Sequence, residues 1–245
     1  MFRLLIALVM MIPSLAYGYE CSREIDRVSK ELGIPIYCKI GSNHLMPYNI
    51  DGYTPNQSLI SDFENPFMRF VSTYNKDFLK KFANNMNFLH DLRYSGQKVG
   101  GLSDGSYLYI NLKDYDSDYA YTFYIRALNH EFSSSIYRSM TYREKNEWSS
   151  IANSYDNSSE YMAKCLNSTT FYRQNSETIL RQGFLSNYGL TCPENDFNVY
   201  AERLFGKDEN LKVWMRNYPK VKEKVDLMKK LYRKAGFTGN FPDET

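Results

Sequence analysis

One segment limits the architecture more than any other. From Tyr119 to Met140 the chain reads as a single helix with contact residues on two sides. Tyr121, Ile125, Leu128, Phe132 and Ile136 fall on one face, and Phe123, Ala127, His130, Ser134 and Tyr137 fall nearly opposite. Arg126, Glu131 and Arg138 lie toward a flank. A surface helix carries one apolar stripe. A helix with two contact faces belongs inside a fold, with packing partners on either side.

The flanking sequence suggests what those partners are. Before the helix, IPIYCKI (Ile34 to Ile40), MNFLHDL (Met86 to Leu92) and YLYINL (Tyr107 to Leu112) have strand patterns. YLYINL reads as an exposed edge strand. Helices are predicted from Glu20 to Leu32, through Phe63, Phe67 and Phe70, and from Lys76 to Ala83. Gly41 to Ser58 reads as a loop, and the glycine-rich Ser95 to Ser106 as a turn region. After the helix the chain is mostly helical. Thr141 to Glu144 has capping-box spacing. Pro193 opens a helix to Phe205, and Pro219 opens one that Gly236 stops. The last residues, from Thr238, read as a loose tail. The order implies an α+β fold: a small mixed sheet packed on a central helix, then a helical second half.

The first 18 residues have a basic start, an apolar run and a small-residue end, the pattern of a secretory leader with cleavage after Gly18. Export to a periplasm or the exterior is therefore expected, with no membrane segment after cleavage. Formal charge is +2, and a leader whose only charge is Arg3 takes one of these away. No basic block interleaves with aromatics, so nucleic acid is not an expected partner. Cys21, Cys38, Cys165 and Cys192 form an even set, which in an exported chain implies two disulfides. Sequence separation favours Cys21–Cys38 and Cys165–Cys192. The spacing has no paired C-x-x-C of a metal knuckle.

The central helix contains Asn129-His130-Glu131-Phe132-Ser133-Ser134. His130 and Glu131 match the start of H-E-x-x-H, in which two histidines one turn apart bind zinc and the glutamate is general base. Ser134 stands where the second histidine would be. Read from spacing alone, His130 is a hydrogen-bonded core histidine and Glu131 half of an ion pair. Ser134 is a poor candidate nucleophile, because mid-helix N–H groups are already bonded and cannot form an oxyanion hole.

The glycine-rich turn, YLYINL, NHEFSS, the acidic helix ENDFNVYAE and the helix opened by YPKV occur in an order that resembles the gluzincin-type zinc metallopeptidases. The similarity is to secreted bacterial zinc peptidases distantly like the anthrax lethal-factor catalytic domain. It spans Asn75 to Ala235. The resemblance implies a zincin-like domain at 75–237; the residue patterns place before it a leader at 1–18 and a disulfide-tied extension at 19–74, and after it a tail at 238–245. It implies zinc bound by His130, water activated by Glu131, and a third ligand from Glu194 or Asp196. Glu202 would support the site without ligating. The implied function is hydrolysis of a peptide or protein substrate by a monomer, or, with Ser134 breaking the ligand set, an inactive zincin fold serving as a binding or envelope module. His90 or His44 could supply the missing imidazole.

Overall fold

A computed structural model describes residues 21–38, 49–152, 155 and 175–244, with Ser117 and Asp118 as backbone only. The expected leader, His44 and Cys165 lie outside the described residues. The chain is α+β. It opens with α1 (Arg23–Leu32) and β1 (Ile36–Tyr37), followed by β2 (Ile50–Tyr53), α2 (Gln57–Thr73) and α3 (Lys76–Phe82). Four strands follow: β3 (Asn85–Tyr94), β4 (Gln97–Lys98), β5 (Gly101–Asp104) and β6 (Tyr107–Leu112). Then come α4 (Ser117–Ser139), α5 (Tyr142–Ser150), α6 (Glu177–Gln182), a 3-10 turn (Gly189–Thr191), α7 (Pro193–Phe205), α8 (Glu209–Asn217) and α9 (Pro219–Ala235).

Local chemistry explains most boundaries. Gly33 ends α1 in the left-handed conformation at φ 66°, which spares a Cβ the steric cost there. Thr141 and Glu144 form the reciprocal capping box of α5. Gly236 ends α9 at φ 109°. Four of the sequence-based expectations need correction. The Gly41–Ser58 loop contains strand β2, and the glycine-rich region contains β4 and β5 between tight turns at Gly96 and Gly105. The tail does not trail away: Phe241 is buried, and Lys229 Nζ pairs with Asp243 at 2.5 Å.

The sheet order is β1-β3-β6-β5, with β2 and β4 also paired to β3. β6 runs parallel to β3, and β5 runs antiparallel to β6. YLYINL is thus an interior strand, and β5 is the edge beside α4. The expectation of an edge position for YLYINL fails because the segment before it folds back as β5 and covers it.

α4 is internal, as its two faces require. Every residue from Ala127 to Tyr137 is buried. Phe132 packs edge-on against Phe70 at 5.5 Å and also meets Tyr74 and Phe78. On the sheet side of α2, Phe63 meets Phe88 at 4.4 Å. α7 covers α4 from the other side and is itself buried from Asn195 to Phe205. Two buried helices in contact, one packed on a sheet and one under further helices, set where polar side chains must find partners.

Candidate active-site cleft

A cavity of about 480 Å³ opens between β5, α4 and the start of α7. His130, Glu131 and Ser134 line it from α4, and Glu194 and Asn198 from α7. Buried polar groups must be hydrogen-bonded or pay a desolvation cost. Here they pair across the two helices as a ladder of three rungs. His130 Nδ1 lies 2.6 Å from Glu202 Oε1. One turn along, Asn198 Nδ2 donates to Ser134 Oγ at 2.7 Å. One turn further, Arg138 pairs with Glu194 at 2.8 Å. Four residues up α4 match four residues down α7 at each step, so the helices run antiparallel.

The first rung is fully enclosed, with Glu202 1% and His130 6% exposed. A carboxylate on Nδ1 fixes the ring and leaves the other nitrogen, Nε2, to face away from it. Among the described residues Nε2 has no hydrogen-bond partner. In the middle rung the Asn198 amide is used at both ends, because its Oδ1 lies 2.6 Å from Ser133 Oγ. Ser135 donates instead to the Gly105 carbonyl, at 2.7 Å. The three adjacent serines are therefore hydrogen-bonding groups as well as small ones.

Glu131 is buried beneath the edge strand, not on a solvated flank. A Cβ at position 101 would lie 2.6 Å from Glu131 Oε1, so Gly101 is what lets β5 approach the carboxylate. At the far end Arg138 Nη1 donates to the Ser103 carbonyl at 2.7 Å, which ties α4 to β5.

Asp196, the other acid considered as a third ligand, is not brought to this cavity. It is completely buried on the opposite side of α7, where Lys224 Nζ reaches it at 2.5 Å and the Tyr155 hydroxyl donates to it at 2.6 Å. Trp148, Tyr155, Phe184 and Tyr200 surround the ammonium, with the Phe184 ring centre at 4.5 Å. Burial raises the Asp196 carboxyl and lowers the Lys224 ammonium, and their mutual attraction opposes both shifts. Burial and the neighbouring Asp196 push the Tyr155 hydroxyl far up. His90 is also elsewhere, its Nδ1 3.0 Å from the Leu112 carbonyl on the sheet.

A catalytic zinc needs three protein donors and an open position. Among the described residues no group of three or more His, Cys, Asp or Glu side chains is placed to hold a metal. The middle rung shows why: the α4 position one turn from His130 carries an alcohol, already bonded to a neutral amide. The donor set among the described residues does not fit a catalytic zinc.

No family model and no curated protein sequence matches the chain. Among solved structures it is similar to a candidate zinc-binding metallo-peptidase from Bacteroides caccae, at a TM-score of 0.56 and 15% sequence identity. The match covers 88% of this chain and 86% of that one. The likeness is one of fold.

Proposed function

We propose that the protein is an exported module of metallopeptidase fold that holds an extended peptide along β5 and does not cleave it by the zinc route. The observation that carries this reading is the Ser134–Asn198 hydrogen bond, which pairs two neutral groups in the wall of the cleft one turn from His130. The binding half rests on β5. It is the sheet edge facing the cavity, and an edge strand can pair with an added strand through main-chain hydrogen bonds. Arg138 takes the outward carbonyl of Ser103. Outward-facing groups recur every second residue in an antiparallel ladder, so Gly101 offers the next outward pair. The proposed export rests on the leader pattern and on the bridging of Cys21 to Cys38, with Cys192 also in a disulfide.

A second reading, the gluzincin peptidase, is favoured by one observation. His130 is oriented through Nδ1 with Nε2 unpartnered, and Glu131 sits beside it. Calorimetric titration with zinc separates the two. The proposed function expects no binding in the micromolar range or tighter, and no zinc-dependent release of fragments from an unfolded casein substrate. Tight zinc binding that His130→Ala abolishes would overturn it in favour of the peptidase.

A further inference from the structure

The two ends of the cleft differ. Arg138 closes one, where its guanidinium is spent on Glu194 and the Ser103 carbonyl. Lys113 lies at the other end. It follows β6, two residues after Asn111, whose N–H donates to the Gly100 carbonyl at the start of β5. Its backbone is held firmly: Lys113 N–H donates to the Tyr124 hydroxyl at 3.0 Å, and that hydroxyl donates to the Lys113 carbonyl at 2.8 Å. Lys113 is one of the residues that line the cavity.

Lys98, at the same end, is already paired with Asp91 at 2.6 Å. The Lys113 ammonium has no ion pair or hydrogen bond among the described residues. It is half-buried, and burial, together with the like charge of Lys98, lowers its pKa, with Asp91 opposing. Asp91 is already shared between Lys98 and Arg93, so a partly buried ammonium beside them is a receptor for a further anion.

We propose that Lys113 is an anchor for a carboxylate of the peptide held against β5, either an Asp or Glu side chain or the C-terminal carboxylate. A monoanion fits one ammonium flanked by an existing lysine–aspartate pair. The proposal rests on the peptide-binding reading of the same cleft. It adds a preference for acidic peptides and a direction of recognition, with the anchor at the Gly100 end and a stop at Arg138.

The test is affinity selection by the mature protein from a synthetic random-hexapeptide library, prepared once as free acids and once as C-terminal amides. The wild type should enrich anionic peptides about tenfold over neutral ones, the effect of one charge-assisted hydrogen bond. Enrichment of Asp and Glu among the amides identifies the side chain as the source. Enrichment of free acids alone identifies the terminus. Lys113→Met should still retain peptides but lose the preference, and Lys113→Arg should keep it. Retention without any acidic preference, or a preference that survives Lys113→Met, overturns the anchor while leaving the peptide-binding function standing. Retention of no peptide in either library overturns both.

Discussion

Glu194 and Asp196 are both acids in the first turn of one helix, yet two residues turn a helix through more than half a circle. Glu194 faces the cleft, and Asp196 faces Lys224 among aromatic rings. Removing one member of a buried ion pair strands the other charge. Asp196→Ala should therefore destabilise the fold by about 3–5 kcal/mol in urea unfolding, whereas the joint change Asp196→Leu with Lys224→Met should cost much less. A loss below about 1 kcal/mol for Asp196→Ala would mean the pair contributes no more than an exposed one. Residue-scale legibility was uneven for a physical reason. His130 and Glu131 stand out because zinc chemistry demands them at fixed spacing, and Ser134 because it stands where that spacing demands a second histidine. Asn198 carries no motif, since a neutral amide suits almost any polar contact. Its only trace in the sequence is that 194, 198 and 202 repeat at the same interval as 130, 134 and 138.

At the scale of elements, helices were read more accurately than strands. Helix ends carry local chemistry: the Thr141–Glu144 box, Pro193, Pro219 and Gly236 all act where the sequence places them. Strands β2, β4 and β5 are four residues or fewer and glycine-bearing or polar, so tertiary pairing with β3 and β6 decides them, not local pattern. The α5 cap also reaches across the molecule, because Glu144 meets Lys234 of α9 at 2.6 Å. Lys234, then Thr141, hold the Glu144 carboxyl at about 2, below its ordinary 4.5. A depressed carboxyl contributes stability above its unfolded value and loses it as pH falls through the folded one. The gap in urea midpoint between wild type and Glu144→Gln should be constant above about pH 4.5 and close as pH approaches about 2. A gap that is independent of pH across that window would exclude this linkage.

Across the whole molecule, the central helix is what made the architecture readable, because its two contact faces require a layer on each side. The amino-terminal layer is stapled by Cys21–Cys38, a separation of 17 residues. Opening a loop of that size costs about 3 kcal/mol by chain entropy. The double change Cys21→Ser with Cys38→Ser should lower unfolding stability by about that amount, and an unchanged urea midpoint would show that the staple constrains nothing. The ladder between α4 and α7 bears on the history open to such a chain. Asn198 donates to Ser134 while its Oδ1 accepts from Ser133, so an imidazole at 134 alone takes away the acceptor fitted to the amide N–H and crowds a buried site built for a hydroxyl, and a carboxylate at 198 alone enters a buried space fitted to a neutral group. Each step taken singly loses about 1–3 kcal/mol of folding free energy before any third donor exists to repay it. Selection acting one substitution at a time meets a valley on both routes, and the middle rung behaves as a ratchet that holds descendants of this chain away from a zinc donor set.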